Sequence, residues 1–155
     1  MTPLFKKLQL DEVRRIHVLN APASFEPELQ ALDGVDVHRQ AQGGIVFALA
    51  FVKTLQEVAE ATDALVRAAE GDVRLWMVYP KASSKKYRCE FHRDTGWQAL
   101  GEAGYEPVSQ VAVDEDWSAL RFRKVEFIKT MKRHPDGAIS SAGRQKALVQ
   151  RPKED

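Results

Sequence analysis

Residues 44–52 read GIVFALAFV, and Thr54-Leu55-Gln56-Glu57 follows almost at once. The first stretch is continuous and uncharged, a pattern that suits a β-strand buried on both faces in the middle of a parallel sheet. In the second, Thr54 can accept from the backbone of a helix start while Glu57 reaches back, which is a capping box. Leu55, Val58, Ala59, Leu65, Val66 and Ala69 then recur at helical spacing, with Thr62 at the margin of that face and Gly71 as the stop. A helix of this length can carry the chain back over the sheet, as a parallel neighbour requires.

Working towards the N-terminus, residues 35–38 alternate as a short strand near a sheet edge. Residues 26–34 form a helix with Pro27 in its first turn, Leu29 and Leu32 inward and Gly34 at its end. Residues 15–19 are β-type and are closed by Asn20-Ala21-Pro22. Thr2-Pro3-Leu4 opens a short helix, with Thr2 as N-cap and Pro3 at the first helical position, where no N–H is needed. Towards the C-terminus, residues 74–79 make a strand closed by Pro80, and a polar loop follows. Thr95 and Gln98 offer a second capping box, for a helix with Trp97, Leu100 and Ala103 on one side and Gly104 at its end. Residues 108–113 and 118–124 read as strands joined by the acidic connection Asp114-Glu115-Asp116-Trp117, too short for anything but an antiparallel pair. Residues 125–133 read as a last short helix. This alternation predicts an α/β fold: a three-layer, Rossmann-like sheet, mostly parallel, with a C-terminal antiparallel hairpin of the kind found in the methyltransferase-like topology.

The chain has 155 residues, 44% of them apolar, which suits one domain with a real core. That domain is expected over residues 1–133. The net charge of +1 hides an asymmetry: residues 121–155 hold ten basic and four acidic side chains, a net of +6, leaving −5 for the rest. Residues 134–155 break periodicity and read as a basic, flexible tail, whose charge is also what a nucleic-acid contact would use. Cys89 is the only cysteine, which excludes an internal disulfide and a multi-cysteine zinc site and suits a reducing, cytoplasmic setting. No uncharged run is long enough to cross a bilayer, and Lys6 and Lys7 interrupt any apolar leader after Met1.

Several short stretches together resemble a bacterial family of small proteins known only as a domain of unknown function. They are Thr2-Pro3-Leu4 with Lys6-Lys7-Leu8, Asn20-Ala21-Pro22, Tyr79-Pro80-Lys81 with Ser83 or Ser84, and Arg93-Asp94. The most specific is Asp114 with Asp116-Trp117-Ser118-Ala119-Leu120-Arg121-Phe122. Family members usually carry Gly where Ala119 stands and a shorter loop than residues 84–92. The resemblance implies a methyltransferase-like Rossmann fold and no agreed activity, so no catalytic residue is carried over.

The usual cofactor signals are missing. A nucleotide-binding Rossmann unit opens its first crossover with a glycine-rich turn, so that bare amides can approach the cofactor. Residues 19–28 hold no glycine, contain Pro22 and Pro27, and put Glu26 and Glu28 at the positive end of the helix, where they would repel a pyrophosphate. The second strand should end in an acid that takes the ribose hydroxyls, and it ends in His38-Arg39-Gln40. Conventional use of S-adenosylmethionine or NAD is therefore not expected, and no cofactor is assigned. Cys89 and His92 stand three apart, but His17, His38 and His134 lie on other elements with no paired spacing, so a closed metal site is not expected. Lys85, Lys86, Arg88 and His92 could activate Cys89 as a nucleophile by lowering its pKa; the simpler account is a loop thiol beside a surface imidazole. There is no nucleophile elbow and no P-loop.

What remains is one edge of the sheet. Ligands of open α/β sheets bind beyond the carboxyl ends of the strands. The expected topology brings Asn20, the loop residues Lys81, Ser83, Ser84, Lys85, Lys86 and Arg93, and the turn residues Asp114, Asp116 and Trp117 to that edge, with Arg121 close by. Ammonium and hydroxyl donors ahead of a helix start could receive an anion, and the two aspartates could pair with these lysines or with Arg93 or Arg121. The simpler account is a solvated loop held by weak surface ion pairs. Trp76, Trp97 and Trp117 read as core packing. Intact framework residues beside a missing glycine turn lead to the expectation of a non-enzymatic binding or interaction module, its partner an anionic small molecule or a protein. A divergent S-adenosylmethionine-dependent methyltransferase-like enzyme is the alternative, on topology alone. Nucleic-acid association through the basic stretch is a third reading.

Overall fold

In the computed structural model, which describes residues 2–92 and 94–128, the chain runs α1 (Pro3–Lys7), β1 (Arg15–Leu19), α2 (Glu26–Gln30), β2 (Asp36–His38) and β3 (Ile45–Phe51). It continues through α3 (Leu55–Ala68), β4 (Ala69–Pro80), α4 (Gln98–Glu102), β5 (Tyr105–Ala112) and β6 (Trp117–Lys124). One six-stranded sheet has the order β2-β1-β3-β4-β6-β5. The first four strands are parallel, and β6 lies antiparallel between β4 and β5. The apolar run at residues 44–52 is the middle of this sheet, as its composition requires.

Side chains alternate across β3 and so build two cores. Phe47, Leu49 and Phe51 pack with Leu4, Phe5 and Leu8 of the N-terminal segment and with Phe25 and Leu29. Ala48 and Ala50 meet Val58, Ala61 and Leu65 of α3 and Leu100 of α4 on the opposite face. The three-layer, Rossmann-like expectation thus holds, with the methyltransferase-like arrangement of its last strands.

Both ends of the chain's clearest helix follow from local chemistry. Thr54 Oγ1 accepts from Glu57 N at 3.0 Å, and Glu57 Oε1 accepts from Thr54 N at 3.1 Å. Thr54→Ala should lower stability by about 1 kcal/mol; an unchanged urea midpoint would show that the box contributes nothing. The helix stops at Ala68, before Gly71, because Ala69 already takes extended backbone and begins β4. Its buried stripe is Val58, Ala61, Thr62 and Leu65, whereas Leu55 and Ala59 are exposed and Val66 and Ala69 half-buried.

Other boundaries are also corrected. The helix expected over residues 26–34 ends at Gln30, after one turn, and Gly34 belongs to the connection beyond it. The strand expected over 74–79 is the inner part of a twelve-residue β4. Thr95 does not cap α4: Gly96 at φ 89° interrupts the helical path, and Trp97 stands at the N-cap. Thr95 Oγ1 instead accepts from His92 N at 3.3 Å. After β6, Val125–Phe127 form a single 3-10 turn in place of the start of a longer helix; the rest of that expected helix and the basic tail lie outside the described residues. Among the described residues no helix is long and apolar enough to cross a membrane.

Candidate functional site

The chain leaves β1 towards β2 on one side and returns to β3 on the other, so the switch point of the sheet lies at the carboxyl ends of β1 and β3. Asn20 ends β1 with φ 60°, the left-handed conformation that asparagine adopts more readily than most residues. The turn that glycine would make is therefore made without it. Ala23–Phe25 then form a 3-10 turn in which Phe25 N donates to Pro22 O at 2.9 Å, and the Phe25 ring is buried. The Glu26 carboxylate receives both Arg39 Nη1 and Nη2, at 2.8 and 2.7 Å, tying the start of α2 to the end of β2. These hydrogen bonds hold the Glu26 carboxyl below its ordinary range.

The same region brings together two histidines that have no paired spacing in the sequence. Parallel register puts His17 beside His38, and the rings stack with centroids 5.1 Å apart. His17 is buried; its Nδ1 lies 2.9 Å from Gln40 O, which makes that nitrogen the donor, and its Nε2 has no partner. Sequence spacing does not reveal the pair, because strand register is what brings it together. Among the described residues there is no cluster of three or more His, Cys, Asp or Glu that could hold a metal ion.

A cavity of about 690 Å³ opens further along the same edge, where β4 and β5 end and β6 begins. Lys81, Ser83 and His92 face it from the loop after β4, and Tyr79, Gln110 and Ser118 from the strands. Gln110 Nε2 donates to Tyr79 Oη at 3.0 Å and to Ser118 Oγ at 2.9 Å, fixing the polar floor. Asp94 N donates to His92 Nδ1 at 3.2 Å, which leaves the proton of the neutral ring on exposed Nε2. Tyr79 is held from beneath by the core: Phe91 and Tyr79 both pack on Trp97, with centroids 4.8 and 5.4 Å away.

Of the residues expected at this edge, Lys81 and Ser83 line the cavity. Ser84 instead braces the loop, since its hydroxyl donates to Asp116 Oδ1 at 2.8 Å and accepts from Tyr87 N at 3.1 Å. Asp114 Oδ1 accepts from the amides of Asp116 and Trp117, both at 2.8 Å, and so closes the β5–β6 turn. Neither aspartate forms an ion pair among the described residues, which corrects the expected pairing with the lysines or Arg121. Lys85 is exposed, and Lys86 stands 5.4 Å from the Tyr87 ring. Trp117 is buried between Phe51 and Tyr87, and Trp76 and Trp97 are buried too. Asn20 belongs to the switch point and not to the cavity. Arg121 is not at the edge: it pairs with Trp76, well inside the sheet. Arg93 lies outside the described residues. Cys89 is not activated, which goes with the simpler account of it as a loop thiol: burial pushes its thiol pKa up, with Glu90 and Glu57 adding to the rise.

No family model matches the chain, so the resemblance to the bacterial family rests on its short motifs. No curated protein matches it in sequence. Solved structures do match in fold. The N-methyltransferase NodS from Bradyrhizobium japonicum WM9 aligns at 12% identity and a TM-score of 0.49, over 77% of this chain and 91% of that one. TrmN from Thermus thermophilus aligns at 8% and 0.48, over 78% of this chain and 46% of that one. LepI in complex with SAM aligns at 14% and 0.44, over 79% and 47%. The chain thus spans about half the length of the latter two. What is shared at these identities is the fold. These matches, which include an N-methyltransferase and a protein solved with SAM, stand against the expectation of a non-enzymatic binding module and on the side of its methyltransferase-like alternative. Of the grounds for that expectation, the missing glycine is the one the backbone answers, since Asn20 takes the left-handed conformation without it. The chain is an α/β protein of the methyltransferase-like, Rossmann type.

Proposed function

We propose that the chain is a divergent methyltransferase-like enzyme whose substrate is a small molecule with an acidic group, held in the cavity beyond β4 and β5. The observation that carries the proposal is the cavity itself. It lies beyond the carboxyl ends of β4 and β5, the side of the sheet on which open α/β folds do their chemistry. It combines a cation at Lys81, hydroxyls at Ser83 and Ser118, and the outward Nε2–H of His92. Lys81 supplies charge for an oxyanion, and the His92 donor orients it.

The architecture implies an adenosyl cofactor at the switch point, and the residues there do not fit one held in the usual manner. The strand-end acid is replaced by Arg39, whose guanidinium is closed on Glu26, and the Phe25 amide is spent on Pro22 O. The chain is divergent at this crevice in particular. The closure is an exposed ion pair, a weak kind of tie.

Two measurements test the reading. Titration with millimolar S-adenosylmethionine or S-adenosylhomocysteine is expected to raise Tm by about 2–5 °C; no shift with either ends the methyltransferase reading. Mass spectrometry of material released from freshly purified protein should show an acidic small molecule, depleted from Lys81→Ala. Equal recovery from wild type and Lys81→Ala would remove the cavity from the proposal.

A further inference from the structure

Ser118 gives the floor of the cavity a direction, and it is that of a donor. The residue stands on β6 with Tyr79 of β4 and Ala112 of β5 as register partners, so strands on both sides fix its position. Its hydroxyl oxygen accepts from Gln110 Nε2 at 2.9 Å, and the same amide nitrogen donates to Tyr79 Oη at 3.0 Å. A hydroxyl that accepts from an amide keeps its own proton to give. Tyr79 and Gln110 each have a further interaction. Among the described residues nothing takes the proton of Ser118, whose side chain lines the cavity.

The cation lies a short way further along the chain. Lys81 N donates to Asp116 O at 2.8 Å, which continues the ladder past the Pro80–Trp117 pair. Lys81 therefore follows Tyr79, the partner of Ser118, by two residues, about 7 Å along the strand direction. It forms no ion pair among the described residues, and Asp94, the carboxylate of the lining, has a partner of its own. Pro80 and Ala112 add apolar surface to the same lining. A ligand that satisfies both ends needs an anion at Lys81, an acceptor at Ser118 and a carbon spacer between them.

We infer that the substrate is an oxo acid: a carboxylate held by Lys81 and, a few bonds away, a carbonyl oxygen that takes the Ser118 proton. A carbonyl only accepts, so it matches this floor. A methylene in its place would leave the covered hydroxyl proton unpaired, which is how a polar site rejects an analogue. Ser118 is then the residue that selects among acids, and Gln110 positions its hydroxyl. The inference rests on the cavity being the acid-binding site proposed above.

The test is calorimetric titration of the full chain with two matched pairs of acids: levulinate against valerate, and para-acetylbenzoate against para-ethylbenzoate. Within each pair a carbonyl oxygen replaces two hydrogens. At least one oxo acid is expected to bind about three- to ten-fold more tightly than its partner. Ser118→Ala should remove that preference and leave the affinity for the partner acid unchanged, which also shows that the variant is folded. Gln110→Glu has no amide proton to donate, so the hydroxyl should turn to the new carboxylate and the preference should again be lost. Lys81→Ala should weaken all four acids while the preference persists. Equal binding within both pairs, or a preference that survives in Ser118→Ala or Gln110→Glu, would overturn the inference and leave the acid site standing. Binding of none of the acids, or binding that Lys81→Ala leaves unchanged, would remove the acid site and the inference with it.

Discussion

Phe47→Ala is expected to cost about 3–5 kcal/mol, the range for removing a large buried aromatic side chain. Phe47 is fully buried on β3, flanked by β1 and β4, and its ring lies 6.5 Å from that of Phe5. Backbone pairing on both sides prevents β3 from moving into the space, so most of the cavity would persist. A domain of this size has about 5–15 kcal/mol of stability in total, so the variant should sit near its unfolding threshold at room temperature. Urea denaturation followed by far-UV circular dichroism reads the effect. A loss below about 1 kcal/mol would mean that α1 closes onto the gap, and would put the N-terminal helix among the mobile parts of the molecule.

Gly96→Ala is the second large effect, and its cause is steric. Gly96 has φ 89°, and a Cβ built on it would stand 2.5 Å from Phe91 Cβ and 2.8 Å from Phe91 Cγ. The Phe91 ring cannot retreat easily, because it packs on Trp97 and Tyr79. Left-handed backbone costs a non-glycine residue about 1–2 kcal/mol, and overpacking adds about 1–3, for a total of about 2–5 kcal/mol. Gly34→Ala is the internal control: Gly34 has φ 67° and nothing within 4 Å of its built Cβ, so only the backbone part should remain. Equal destabilisation by the two variants would show that the contact with Phe91 relaxes. The Gly96 change should also disturb Trp97 fluorescence, since the displaced Phe91 ring packs on Trp97.

What can be read from the sequence is whatever local chemistry decides. The continuous apolar run can only be an inner strand, and Thr54 with Glu57 can cap a helix without help from the rest of the chain. Thr95 and Gln98 show where this fails. The same motif is present, but Gly96 is drawn into a left-handed turn by its packing against Phe91, and the helix begins later. The stripe of α3 shifts for a related reason: Leu55 is apolar but stands at the rim of the core, 49% exposed, while Thr62 is buried with its hydroxyl unpartnered.

The candidate sites are less legible, because each depends on register. Gln110 and Ser118 meet only because the β5–β6 hairpin pairs Ala112 with Ser118 and continues inward from there. Arg121 is four residues beyond Trp117, about 13 Å along a strand, so a residue that belongs to the motif of the turn is carried away from it. The crossover is legible only in part: Asn20 supplies the left-handed conformation that glycine would have supplied, while the absence of a strand-end acid stands as read, with Arg39 closed on Glu26.

The margins of the sheet have a further consequence. On one side β2 offers three residues; on the other β5 carries Pro107, which has no N–H to donate, and its ladder slips between Pro107 and Ser109. A second polypeptide approaching either margin meets a template too brief or too broken to copy. Adding strands edge to edge, the usual route from a folded sheet to a fibre, therefore has a poor starting point on the described part of this molecule.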